Sequence, residues 1–469
     1  MGEILSCPDR GVEPKFLDDA PPKSTYAGLG KWVEHSANAA IVLRPTFGAV
    51  AMEMFEFCLY GYAAEQIKES FFLGSAVGTW ACFAVPFFSR PLGGVVMGRV
   101  SDIYGRRLAV ITTAYGVLGT TVLQGLIPMH TGAWGITSLV VLRGLQGLAF
   151  GAAATHSTYA VEVADPSVMG SSCALLCIAG SFGGLCAVGL FASLNSLLTP
   201  HQMLVWGWRI PYLVAAIPGL MSALDAGNCV ETDAFIKGKA AREAKQASDD
   251  SEGTEEEEVG GFELMFGKYK WQVVLMVLGS LSGPAVSYVG KVFLVEYLAN
   301  VGGIGSTMSL WLGTVNLMAG MVTIPFVAWA TDCYGAGTCL LAGNLAVAGT
   351  MIPAFALTIG NPAKSLHGSL VLSIIFGILS NIAIPATIYG AELFPVEIRN
   401  LSSGLWRNVI TCATGGLSPL FLSGVTMVHP LAPGVYVTSL AMISLAAVQM
   451  GFMARNQGLT VTHIRHEPY

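Results

Sequence analysis

Charge is what this sequence has least of. Asp, Glu, Lys and Arg make up 12% of its 469 residues, against 53% hydrophobic ones, where soluble domains carry about 25% charge. So little polar surface cannot clothe a water-soluble globule, and a mean hydropathy of +0.61 puts the chain in the membrane class. Basic residues cluster only at segment ends, so no nucleic-acid partner is expected. A Walker motif, a nucleophile elbow and a paired-histidine metal site are also missing. That argues against an ATP-driven pump and against an enzyme, and no cofactor or metal is expected. The ten cysteines lie mostly inside apolar runs, and no partner pair completes a metal site around Cys173 and Cys177. They read as small packing residues. The opening stretch "MGEILSCPDRGVEPKF" has no hydrophobic signal region and is expected to stay in the cytosol.

What is present is a series of twelve apolar runs, each of about twenty residues, at roughly 43–64, 73–97, 108–128, 137–160, 171–197, 204–224, 271–298, 307–330, 338–359, 368–390, 402–426 and 431–454. A helix of that length crosses a hydrocarbon core about 30 Å thick. The runs lack the alternation of barrel strands. The expected fold is therefore an all-α membrane protein with twelve transmembrane helices. Residues 1–40 form a polar tail, 41–225 a six-helix half, 226–270 a linker, 271–455 a second six-helix half and 456–469 a second tail. The linker, with "KGKAAREAKQASDDSEGTEEEEVGG", is charged and then acidic, the composition of a partly disordered cytosolic segment.

Lys and Arg set the orientation. With both termini inside, the inner loops hold Arg99, Arg106, Arg107, Lys237, Lys239, Arg242, Lys245, Lys268, Lys270 and Arg399. The outer ones hold only Lys68, Lys364 and Arg209. A multi-pass protein with cytosolic termini is expected, most simply in the plasma membrane.

The halves look like copies. "SDIYG" at 101–105 faces "TDCYG" at 331–335, and Glu162 in "VEVADP" faces Glu392 in "AELFP", both at a separation of 230. A parallel repeat of six-helix halves, related by a pseudo-two-fold axis, is a carrier architecture. The polar stretch "GRVSDIYGRR" (98–107) then reads as the inner loop between helices 2 and 3. Its glycines allow a tight turn, and Asp102 stands just before helix 3, where an acid suits the positive helix end. Arg106 and Arg107 hold the loop inside. The inner gate is expected to use Asp102, Arg106, Arg107 and Glu162 in one half, and Asp332, Glu392 and Arg399 in the other.

"RPLGGVVMGRVSDIYGRR" resembles the signature loop of the major facilitator superfamily. Together with "FEFCLYGY", "RGLQGLAFG", "WGWRIPYL", "ETDAF" and "AELFPVEIRN", it is similar to the metabolite–proton symporters: proline/betaine, citrate, 2-oxoglutarate and shikimate carriers. The resemblance covers nearly all of 40–455. It implies a twelve-helix rocker with helices 1, 4, 7 and 10 around one central site, and proton coupling. Glu56 matches the acidic position of the family's helix 1. Two departures stand out: "TDCYGAGT" lacks the arginines the family usually keeps, and this chain has Ala152 and Ala153 where the family's helix 4 usually reads Gly-Gly-Glu. The long C-terminal coiled coil of osmosensing members is also missing, which speaks against osmosensing.

Ionisable residues at membrane depth are costly unless paired or wet, so each is a site candidate. Helix 1 carries Glu53 and Glu56 on one face, helix 2 Arg90, helix 4 Arg143, helix 7 Lys291 and Glu296, and helix 11 Arg407 beside Asn408. Proton coupling is assigned to Glu56 with Arg143, Glu53 being the competitor that can instead pair with Arg90. Substrate binding is assigned to Tyr60, Arg90, Tyr288, Lys291, Arg407 and Asn408, because paired cations suit a carboxylate. Lys291 pairing with Glu296 is the alternative. The expected function is proton-coupled symport of a small carboxylate-bearing or zwitterionic metabolite by a monomer in the lipid bilayer. A proton-independent uniporter or exchanger for organic ions or sugars stays open, as does a nutrient receptor on a carrier fold.

Overall fold

The computed structural model describes residues 29–128, 132–151, 156, 157, 159–161, 168–229, 231, 236, 261–359 and 362–456. Glu162 and most of the linker lie outside these residues, as does the side chain of Asp102. Among them there is no strand.

Twelve helical segments follow the apolar runs. In the first half they are α1 (Leu29–Tyr62), α2 (Ala76–Tyr104), α3 (Arg106–Leu126), α4 (Ala133–Gly151), α5 (Met169–Leu197) and α6 (200–226). The second half has α7 (Lys270–Asn300), α8 (Ser306–Tyr334), α9 (Ala336–Ala356), α10 (Leu366–Glu392), α11 (Leu401–Thr426, entered from Val396) and α12 (Ala432–Asn456). Ten of them are long and apolar enough to cross a membrane. The other two are α1, which carries Arg44, Glu53 and Glu56 inside its length, and α6, which is broken at Gly207–Arg209 into pieces too short to qualify. Large apolar side chains such as Val322, Phe326 and Trp329 on α8 stand exposed in rows, as lipid-facing helices require.

α1 starts at Leu29, well before residue 43, because "LGKWVEHSANAAIVL" is helix-forming although too polar to read as a span. The expected loop between helices 2 and 3 is also shorter than the sequence suggested. α2 runs through Asp102 to Tyr104, and only Gly105 separates it from α3. Gly335 does the same between α8 and α9. Both have positive φ with extended ψ (106° and 159°; 83° and 151°), a region essentially reserved for glycine. The repeat at a spacing of 230 is therefore a repeat of two one-residue corners.

The halves meet along two helix pairs, α2 with α11 and α5 with α8. Small residues bring the backbones close: a Cβ on Gly94 of α2 would overlap the Gly404 carbonyl of α11. The end of the molecule that carries the two corners is called the basic end below.

Candidate functional site

A cavity of about 240 Å³ lies between the halves, walled by α1, α2, α5, α7, α10, α11 and the helical residues His156, Ser157 and Val161 that follow α4. Three regular helices break beside it. α7 opens into a wide π turn at Val289–Phe293, α11 into another at Cys412–Gly416, and α10 tightens at Ser380–Ile382. Irregular backbone at membrane depth is tolerated only where other groups satisfy it. Here Asn316 of α8 donates to the Gly290 carbonyl (2.8 Å), and Asn381 donates to the Gly320 carbonyl (2.9 Å). The π turn places Lys291 on the cavity wall.

Among the described residues, the ionisable side chains facing the cavity, thiols and Tyr288 apart, are Glu53, Arg90, His156, Lys291 and Arg407. Arg90 is committed. It donates to Glu53 (3.1 Å) in its own half and to the Tyr288 hydroxyl (3.2 Å) across the cavity, and it lies over the Phe150 and Phe87 rings. Lys291 and Arg407 make no ion pair among the described residues, and Glu296 is not Lys291's partner there. His156, 1% exposed, finds no hydrogen-bond partner for either ring nitrogen among the described residues. It is not among the site residues expected from the sequence. Asn408 reaches the wall, but its amide is spent on backbone, donating to Gly151 O (3.1 Å) of the other half and to Gly404 O (2.6 Å).

Glu56 and Arg143 are not on that wall. They form a sealed pair at 2.8 Å with side chains 0% and 1% exposed, one helical turn further along α1 than Glu53. Arg143 Nη1 also donates to Gln146 (2.7 Å), and its guanidinium lies 4.2 Å from the centre of the Tyr60 ring. Tyr60 is thus a lid under Arg143, its hydroxyl donating to the Thr79 carbonyl (3.1 Å), and the structure does not place it among the cavity residues. Glu56 Oε2 has no donor among the described residues.

At the basic end, Asp332, one of the expected gate residues, reaches into the opposite half. Ending α8, it accepts from the Gly170 amide (2.6 Å), the Ser171 amide (3.1 Å) and the Ser171 hydroxyl (2.5 Å) at the start of α5, and from Trp32 of α1 (3.1 Å). A carboxylate thus caps a helix N-terminus of the opposite half, which carries unsatisfied N–H groups and positive potential. At the start of α3 the capping acid is Glu231, which sequence reasoning quoted in "ETDAF" without a role. It accepts from the Arg106 (2.9 Å) and Arg107 (3.4 Å) amides. The side chains of Arg106 and Arg107 donate to Ser101 O and Gly227 O, tying the first half to itself. Arg399 donates to Ala391 O, with Glu392 buried beside it at the end of α10.

Comparison with known proteins agrees with this architecture. Residues 42–444 match the family model described as "Sugar (and other) transporter". The proline/betaine transporter of Escherichia coli is 27% identical over 414 residues, covering 84% of this chain and 80% of that protein. The citrate-proton symporter of Klebsiella pneumoniae is 26% identical over 425 residues, covering 88% and 91%. Among solved structures, the E. coli major facilitator superfamily proton:xylose symporter bound to 6-bromo-6-deoxy-D-glucose superposes with a TM-score of 0.70 at 16% identity, over 90% of this chain and 96% of that one.

Proposed function

The chain belongs to the sugar (and other) transporter family, and from that premise we propose that it is a proton-coupled symporter. It moves a small carboxylate-bearing or zwitterionic metabolite by rocking of its two halves, with the basic end in the cytosol. Membrane transport, and not enzyme chemistry, follows from the family itself. Symport is supported by the citrate-proton relative, and by one observation above all: the sealed Glu56–Arg143 pair beside the cavity.

A carboxyl group in apolar surroundings favours its neutral form, and contact with a fixed cation opposes that. Arg stays charged throughout. A contact between α1 and α4 that opens and closes as the first half flexes during the cycle therefore alternates the proton affinity of Glu56. Oε2 is the atom free to take the proton while Oε1 faces Arg143. Glu53 is the rival, since it faces the cavity and is paired with Arg90. The test compares Glu56→Gln with Glu53→Gln in proteoliposomes. Glu56→Gln is expected to keep substrate-for-substrate exchange and to lose accumulation driven by a pH gradient. Accumulation that survives in Glu56→Gln and vanishes in Glu53→Gln hands the proton to Glu53.

A further inference from the structure

We propose that the cavity is built for a small dianion, a dicarboxylate held between Lys291 and Arg407, with His156 of the other half hydrogen-bonding its far end. This narrows the carrier reading above and rests on it. The argument is one of charge. Among the described residues that face the cavity, the single acid, Glu53, already forms an ion pair with Arg90 at 3.1 Å. Those two cancel. Two cations remain, Lys291 of α7 and Arg407 of α11, both lining the cavity and without an ion pair among the described residues.

Two uncompensated cations at membrane depth are costly, and a ligand that brings two negative charges removes that cost. A zwitterion brings one carboxylate and a cation of its own, for which no acid is free among the described residues of the cavity. A neutral sugar leaves both cations unpaired. A monocarboxylate satisfies one. His156 supplies the second observation. Its ring is buried to 1% exposure, faces the cavity and has no partner among the described residues at either nitrogen. It sits in the first half while the cations sit on α7 and α11, so a ligand held by all three spans the interface that rocking must close.

The experiment measures binding to the purified full-length protein by thermal shift and by titration calorimetry. The probes are succinate, malate and glutarate against lactate, proline, glycine betaine and xylose. Dicarboxylates are expected to stabilise the protein most. Arg407→Gln and Lys291→Gln should each weaken dicarboxylate binding roughly ten- to a hundredfold, the usual worth of a charged hydrogen bond. Lactate should weaken much less, so the preference for two charges over one collapses. Arg407→Lys keeps the charge and should retain most of the binding, which separates lost charge from lost folding. His156→Leu should weaken dicarboxylates about tenfold and His156→Asn less. If proline, betaine or xylose stabilises the protein more than any dicarboxylate, or if none of the dicarboxylates binds, the dianion site is wrong. The carrier reading is judged apart from this, by counterflow of whichever probe binds in proteoliposomes.

Discussion

Arginine and glutamate respond differently to losing a buried partner. In the Glu56–Arg143 pair the two side chains are sealed at 0% and 1% exposure, so removing either leaves a charge without water. A carboxylate escapes by taking up a proton, whereas a guanidinium does not. Glu56→Leu is therefore expected to destabilise the protein by about 3–5 kcal/mol, the cost of breaking a buried pair from one side. Arg143→Leu should cost clearly less, most visibly in acidic buffer. Melting curves in detergent check this, and equal losses at all pH values would mean that the pair is wetter than its burial implies. The pair was legible in the sequence because charges at membrane depth must find each other. So was Glu53 with Arg90. His156, Asn408, Trp32 and Glu231 were not legible in these roles. A histidine, an amide and an indole cost little as packed residues, and Asn408, Trp32 and Glu231 find their partners across chain separations that no local pattern encodes.

At the scale of elements, length and apolarity fixed most spans, and the misses have local causes. α1 begins early because polar helix formers extend it beyond the hydrocarbon, and α6 is broken where Gly207 and Pro211 interrupt it. The corners were visible as glycines but not as one-residue turns, since no propensity distinguishes a loop of ten residues from a single positive-φ residue between two helices. Gly105 and Gly335 sit at φ 106° and 83° with ψ near the extended limit, where a Cβ is strained. Gly335→Ala is expected to cost about 1–3 kcal/mol, seen as a lower melting temperature and a lower yield of folded protein. The same change at Gly349, which meets nothing within 4 Å, should be close to neutral or mildly stabilising within its helix. Equal effects at the two sites would remove the corner's strain as an explanation.

At the scale of the whole molecule, two six-helix halves touch along α2–α11 and α5–α8 and enclose one cavity, so transport requires that contacts at one end break while those at the other form. We propose that the contact that breaks is Asp332 with the start of α5. One carboxylate holds two amides, a hydroxyl and the indole of Trp32, and three of these four partners sit at the first turn of a helix in the other half. Such a cap is strong while closed because the charge sits on the helix dipole, yet it is a single residue, so one rocking step releases all of it. Asp332→Asn keeps the shape and removes the charge. The loss is expected to be about 1.5–3 kcal/mol of the closed state, which shifts the balance of closed to open roughly ten- to a hundredfold. The cavity thiols Cys173 and Cys177 report the result, since both line the cavity and Cys173 is 3% exposed. With the basic end facing a maleimide, their alkylation should quicken by about that factor in Asp332→Asn, while alkylation from the opposite face slows. Unchanged rates from both faces would leave Asp332 as a fixed joint between the halves and move the gate elsewhere along α2–α11.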